Sequence, residues 1–399
     1  MIIGMILDNT FPPDPRVENE CKALIEEGHE VHLFCLAFGK KKYEKITLHT
    51  IHIHRYHVPK HVRSLASLAH TFPVYRWILQ PLIVDFLTKS KAEICHIHDM
   101  AIAKGAGNAA KKLGLSTILD LHENRPEIMK SYPHVTSFLG KILIYPSIWK
   151  KREAQAIRQA QKTIVVTKEA RDYYIDALGI GKTKFVIVPN TVRKQFYTEY
   201  SLHKEIISRY KQHFVLLYIG DTGLRRGIGT MIKALKHIVP CIPEIKLVIL
   251  GTSKDDAILK KLAQEESVSD FVDFEGWQNM STFPSYISAS AVGTCPIHQN
   301  IHHNTTYANK IFQYMAFGRP ILVSDCDAQA NIARDYDCGL VFTDREEKDF
   351  AEKVLILYRD KEQYAQYAQN AASAISQHLN WELISISLNN MYAELAGKK

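Results

Sequence analysis

Short apolar runs alternate with helical patterns along this chain, and the series begins again near residue 214. The first series holds IIGMIL (2–7), HEVHLFC (29–35), ICHIH (94–98), STILDL (116–121), TIVVT (163–167) and KFVIVPN (184–190), with the helical VENECKALIEEG (17–28) ended by Gly28. The second holds FVLLYIG (214–220), KLVILG (246–251), FVDFEG (271–276), AVGTCP (291–296) and PILVSD (320–325). Strands separated by helices cannot pair as hairpins, so each series builds a parallel, doubly wound sheet. The expected architecture is α/β, with two such lobes facing a cleft: residues 1–190, residues 191–378, and a closing helix over 379–399 that packs back toward the first lobe. Pro189-Asn190 and the polar stretch 193–212 read as the hinge. In sheets of this kind ligands bind beyond the carboxyl ends of the strands, so strand-ending residues are the functional candidates.

With 399 residues the chain exceeds what one core organises, which also favours two domains. Its net charge of +8 suits nucleotides, phosphates or an anionic surface and is too modest to argue for nucleic acid. The seven cysteines are scattered with no CxxC pair, as in a reduced cytoplasmic protein. The opening MIIGMILDN lacks a basic leader and reads as a strand rather than a signal peptide. No run of about 18 uncharged apolar residues is present, so no membrane span is expected.

Two segments of the second lobe look built for an anion. GDTGLRRGIGT (220–230) follows a strand and opens a helix; its glycines, Gly223 among them, let backbone approach a phosphate, and Arg225 and Arg226 add charge. ANKIFQYMAFGRP (308–320) opens a helix at Asn309 and Lys310 and closes it at Gly318. Two such helix mouths on one lobe suit a diphosphate, and Gln313 lies one turn inward, where its amide could bond ribose hydroxyls.

In the first lobe, ICHIHDM and DLHENRPE place His98-Asp99 and His122-Glu123 just past two strand ends. Histidines there can donate to a substrate hydroxyl or act as a base, or simply cap their own loops. PPDPRVENE (12–20) is a proline-stiffened loop whose reactive groups are Asp14 and Arg16, expected to reach the cleft unless Arg16 is merely solvated. The tract HTIHIHRYHVPKH (49–61) carries His49, His52, His54, His57 and His61. It lacks a thiolate or HExxH frame, so a strand with a half-exposed polar face is expected and no metal. His298, His302 and His303 precede the 308–320 helix and are read as substrate contacts. Residues 58–91 combine Lys60, Arg63, Arg76, Lys89 and Lys91 with Phe72, Tyr75, Trp77, Leu79 and Leu82, in pieces expected to break at Pro73 and Pro81. Basic and aromatic residues on short helices suit a membrane interface.

Together these segments resemble the retaining glycosyltransferases of family 4, which have the two-lobed GT-B fold of Rossmann-like domains. The resemblance runs nearly end to end, from FPPDPRVENECKALIEEGHEV through HIHD, DLHENRPE, VTKEA, VPN, YIGDTGLRRGI, LVILG, VDFEGW and ANKIFQYMAFGRPILVSD to NWELISISLNNMY. The family's Glu-x7-Glu pair falls on Thr305 and Gln313, so neither carboxylate is present. Gln313 can still serve the donor ribose, whereas Thr305 is shorter and uncharged where the family's first Glu contacts the sugar. The family's frequent Gly-Gly in the first loop is replaced by Pro13-Asp14-Pro15.

The resemblance implies a metal-independent transferase with no cofactor. It would move a hexose-like group from a nucleotide-diphosphate-sugar donor to a glycan or lipid-linked acceptor, as in cell-surface polysaccharide synthesis. Arg225 or Arg226 and Lys310 would stabilise the departing diphosphate, and His122 would hold the sugar. Asp14, Arg16, His98 and Glu123 would face the acceptor. The protein would be cytoplasmic, docking reversibly on the inner face of the membrane through residues 58–91. A degenerate nucleotide-sugar-binding protein and a nucleotide-sugar epimerase are the alternatives with the same fold.

Overall fold

The computed structural model describes residues 1–397 except 40, 131, 133, 134 and 136. It divides into two units, Met1–Pro189 with Ser385–Lys399, and Asn190–Ile384. Of the expected closing helix, residues 398 and 399 lie outside the described residues.

The first unit holds β1 (Ile2–Ile6), β2 (Glu30–Ala37), β3 (Tyr43–Leu48), β4 (Ile51–His57), β5 (Ile94–His98), β6 (Ser116–Leu121), β7 (Lys162–Val165) and β8 (Phe185–Ile187). Their order across the sheet is β3-β4-β2-β1-β5-β6-β7-β8, and every pairing is parallel except β3 with β4. The order reverses at β1 and β5, so the crevice beyond their ends is where this sheet can receive a ligand. The helix Pro15–Glu26 follows β1: Asp14 caps it by accepting from the Val17 amide at 3.1 Å, and Pro15 occupies its first turn. From Ser385 the helix Trp381–Gly397 belongs to this unit, with the Tyr392 hydroxyl 2.8 Å from His96 Nδ1 and Lys162 paired to Glu394 at 2.9 Å.

The second unit holds β9 (Phe214–Ile219), β10 (Ile245–Leu250), β11 (Val272–Gly276), β12 (Val292–Cys295), β13 (Ile321–Ser324) and β14 (Gly339–Phe342), in the order β11-β10-β9-β12-β13-β14, all parallel. β9 shows why its run is continuously apolar. Val215, Leu217 and Ile219 enter one core with Tyr314 and Met315, while Leu216 and Tyr218 enter the other with Ile228, Met231 and Leu235. The reversal here lies between β9 and β12, which aims the crevice at Gly220 and at the loop after Cys295. Gly293 on β12 lets Tyr314 lie flat across the strand, since a Cβ there would stand 2.1 Å from its ring. The Tyr314 hydroxyl then accepts from the Ile219 amide at 2.9 Å, which seats the helix Lys310–Ala316 against the sheet.

Three expectations are corrected. The stretch 193–212 is no linker: it lies in the second unit, and its helix Lys204–Tyr210 buries Ile206 and Tyr210. Pro81 does not break the chain; Val74–Ser90 is one helix running through it. Pro81 is on the exposed side, where water can satisfy the carbonyl that lost its amide partner. Of the apolar residues expected at the surface, Tyr75 and Leu79 are core, whereas Phe72 and Trp77 are exposed at 44% and 64%. Among the described residues no helix is long and apolar enough to cross a membrane.

Candidate active site

In the second unit the crevice beyond β9 is lined by cations. After Gly220 the chain makes a short 3-10 turn over Leu224–Arg226, then turns at Gly227 (φ 74°) into the helix Ile228–Ile238. Only glycine fits at 227, because a Cβ would lie 1.7 Å from the Pro296 carbonyl oxygen. That close approach joins the loop to the end of β12. Arg225 and Arg226 both reach Asp221 Oδ2 at 3.3 Å, and the Gly223 amide donates to Asp221 Oδ1 at 3.2 Å. One half-exposed carboxylate therefore collects the donors that a phosphate oxygen would want.

Lys310 is the third cation. Its Nζ lies 3.4 Å from the centre of the Tyr218 ring and would stand 3.3 Å from a Cβ on Gly220. Desolvation, then the neighbouring positive charge of Arg226, pushes its pKa down to about 7 despite partial help from Cys295 and Asp221. His303 positions Arg225: its Nδ1 faces the His298 carbonyl at 2.6 Å and its Nε2 faces Arg225 Nη1 at 3.4 Å. Burial, with the two arginines adding to it, lowers the His303 pKa to about 4, so the ring is neutral and Nε2 accepts. His298 is bonded through Nδ1 to Asp344 at 2.7 Å, and His302 is buried.

The other donor-side candidates are placed differently from one another. Gln313 is half-buried one turn into the helix. Asn309 occupies the cap position, yet its side chain makes no capping bond, and the Ile311 amide is already taken by the Ala308 carbonyl at 3.0 Å. Thr305 is buried with its hydroxyl donating to the Ile301 carbonyl at 2.7 Å, so it closes its own short helix.

In the first unit the residues expected at the acceptor separate into buried and open groups. Arg16 is 4% exposed and its guanidinium is used internally. Nε and Nη2 fork onto Asp120 at 3.0 and 2.7 Å, Nη1 donates to the Val188 carbonyl at 3.0 Å, and Nη2 pairs with Glu20 at 3.1 Å. The reading of Arg16 as an open reactive group is thus corrected: it clamps the first helix to β6. Asp14, its neighbour, is the helix cap already described. His98 is also corrected, being fully buried with Nδ1 3.1 Å from Asp120.

His122 is half-buried, with Nε2 donating to Asp120 Oδ2 at 2.9 Å and lying 3.2 Å from His98 Nδ1. Burial works to lower its pKa, but the charge and hydrogen bond of Asp120 outweigh this and raise it to about 9. His122 is therefore an imidazolium at neutral pH, a donor rather than a base. Burial raises the Glu20 pKa to about 8, with Asp120 adding to it.

Glu123 pairs with Arg125 at 2.7 Å, and Arg125 comes within 3.8 Å of Asp99. Asp99 and Arg125 line a polar cavity of about 560 Å³ with Asp8, Asn9, Arg63 and Tyr132. Asp8, Asn9 and the buried His96 were not singled out in the sequence. The first two lie just past the end of β1, so the strand-end rule could have found them. His96 alternates in phase with His98 on β5.

Two groups of the described residues bring together three or more metal-capable side chains: Glu20, His96, His98 and Asp120, all buried, and Glu30, His32 and His52. In the first, the Arg16 guanidinium already occupies the position of a cation. Of the histidines in the 49–61 tract, only His52 joins either group.

Two parallel-sheet, Rossmann-like units, with a cationic crevice at the switch point of the second, define a glycosyltransferase of the GT-B fold. Residues 16–196 match the family model described as Glycosyltransferase Family 4, and residues 201–374 the model described as Glycosyl transferases group 1, so this chain is a glycosyltransferase of that GT-B grouping. It is 22% identical over 385 residues to the alpha-monoglucosyldiacylglycerol synthase of Acholeplasma laidlawii, covering 93% of this chain and 90% of that one. Among solved structures it is similar to sucrose-phosphate synthase from Thermosynechococcus elongatus, with a TM-score of 0.75, 15% identity and 100% of both chains covered. It is also similar to Anabaena HepE in complex with UDP, with a TM-score of 0.73, 15% identity, and 99% of this chain and 100% of that one covered.

Proposed function

We propose that this glycosyltransferase moves a sugar from a nucleoside diphosphate sugar to a hydroxyl of a glycan or lipid-linked acceptor, with retention at the anomeric carbon, in cell-surface glycan synthesis. The observation that carries the donor reading is that Arg225 and Arg226 share the carboxylate of Asp221 while the Lys310 ammonium lies beside the start of the same loop at Gly220. A diphosphate replaces that carboxylate as their partner, and the cations neutralise the negative charge it gains when its bond to the sugar breaks, so the chain's own cations supply what a metal would. Gln313 serves the ribose, and His122 donates from Nδ1 to the sugar. HepE was solved with UDP, which makes uridine nucleotides the first donors to try.

Calorimetry on the full chain tests the donor site. Arg226→Ala and Lys310→Ala are each expected to weaken UDP or its best-binding analogue by about 1.5–3 kcal/mol, as for a lost charge-assisted bond. The Lys310 pKa of about 7 in the free protein rises when an anion binds, so binding takes up a proton. Affinity then falls as pH rises from about 7 toward 9, and Lys310→Ala loses that slope. Unchanged affinity in both variants removes the site from the proposal.

The acceptor reading rests on the name of the Acholeplasma relative, a lipid-glycosylating synthase, and on the surface of the first unit. There Phe72, Arg76, Lys104 and Arg152 rim a hollow of about 170 Å³, next in sequence to the exposed Val74 and Trp77. Exposed aromatics beside cations fit the headgroup layer of an anionic cytoplasmic leaflet. At low salt the protein is expected to float with anionic vesicles but not neutral ones, and Trp77→Ala combined with Arg76→Gln to lose this. Absence of flotation with anionic vesicles leaves a soluble acceptor.

A further inference from the structure

We propose that Glu30, His32 and His52 form a binding site for one divalent cation of the zinc class at the outer edge of the first sheet. Parallel pairing of β2 with β4 puts His32 opposite His52, and the strand period of two puts Glu30 on the same face as His32. Their ligand atoms all lie within 4.8 Å of one another. Glu30 Oε1 is 2.8 Å from His32 Nε2 and 3.9 Å from His52 Nε2. Two ligands of tetrahedral zinc, at bonds of about 2.0–2.1 Å, are roughly 3.3 Å apart, so these separations bracket the required one.

The support around the ligands favours this more than the triplet itself. A ligating imidazole needs its second nitrogen held, which fixes the tautomer and ring direction. His32 Nδ1 lies 2.9 Å from His54 Nε2, and His54 Nδ1 lies 2.8 Å from the Tyr43 hydroxyl. His52 Nδ1 lies 3.3 Å from Thr47 Oγ1. Both inward nitrogens are thus engaged, and both Nε2 atoms turn toward the carboxylate. Phe86 stands edge-on to His54 at 5.0 Å and closes the inner side, whereas Glu30 and His52 are open to solvent, which leaves room for water as a fourth ligand.

Lys45 opposes the ion: it pairs across from His54 on β3, and its charge is felt at Glu30, His32 and His54. Lys89, over the Tyr43 ring at 4.7 Å, is felt at His54. A site with two imidazoles and one carboxylate takes zinc, nickel or copper in preference to magnesium. The bound ion ties β2 to β4 and so fastens the antiparallel β3–β4 hairpin.

The test is calorimetric titration of the tag-free full chain with zinc chloride, with magnesium as control. One saturable zinc site is expected, and no heat from magnesium. His52→Ala and Glu30→Gln each abolish the site while circular dichroism stays unchanged, and Thr47→Val weakens it about tenfold, as for a lost outer-shell bond. Lys45→Gln strengthens binding, which adventitious capture by scattered surface histidines would not show. A zinc isotherm identical in wild type, His52→Ala and Lys45→Gln, or no saturable site at all, overturns the proposal. Neither outcome bears on sugar transfer, because none of these residues belongs to the donor or acceptor machinery.

Discussion

Asp120→Ala is expected to destabilise the first unit by about 3–5 kcal/mol, the usual cost of removing one member of a buried ion pair. The carboxylate is fully buried and accepts from Arg16 twice, from His98 and from His122. Without it, the guanidinium of Arg16 loses both acceptors of its fork and His122 loses the partner that holds its proton against burial. At about 2–4 °C per kcal/mol for a unit of this size, calorimetry of the full chain should show its transition fall by roughly 10 °C. A second reading guards against simple misfolding. His122 and Glu20 both have folded-state pKa values above their ordinary ones, at about 9 and about 8. The folded protein therefore holds more protons than the unfolded chain between those limits, and stability falls as pH rises from about 6.5 to 9. Asp120→Asn keeps the shape and is expected to flatten that slope. An Asn variant with wild-type stability and slope would show that the four-bonded carboxylate does not organise this unit.

This cluster also marks where the sequence stopped being informative. The apolar runs announced the parallel strands because a strand buried on both faces must be apolar at nearly every position, as FVLLYI is. The β3 strand, YEKITL, gave no such signal: it lies on the sheet edge, where alternate residues meet water and Lys45 and Glu44 are tolerated. β14 has only four residues, too few for any period to appear. The donor loop was legible because its chemistry is local, with glycines and arginines a few residues apart on one turn.

Arg16 was not legible, because what decides its role is Asp120, more than a hundred positions downstream. A loop arginine with no visible partner reads as a free reagent, and only the pairing of β1, β5 and β6 turns it into a clamp. His96 was missed for the same reason, its partner Tyr392 coming from the far end of the chain. Glu30, His32 and His52 combine both difficulties: the histidine-rich tract was visible, while two of the proposed ligands sit on β2, which neighbours β4 in the sheet and not in the chain.

His122→Ala is expected to lower turnover by at least about 100-fold while leaving the affinity for the bare nucleoside diphosphate unchanged. The split follows from placement. The proposed diphosphate loop belongs to the second unit, whereas His122 is held in the first by Asp120 through Nε2, with Nδ1 as the nitrogen proposed to serve the sugar. An imidazolium there donates a hydrogen bond to oxygen while positive charge develops at the anomeric carbon and the diphosphate leaves. Its value lies in orientation, since Asp120 fixes the ring before the sugar arrives. Two further readings separate this from a structural histidine. Because the ring stays protonated up to about pH 9, kcat should hold through neutrality and fall only as pH passes that value. His122→Gln, which retains a donor without a charge, should keep the fold and recover part of the rate. If His122→Ala loses thermal stability in proportion to activity, or if Gln restores stability but none of the rate, the histidine serves the Asp120 cluster alone and another group must hold the sugar.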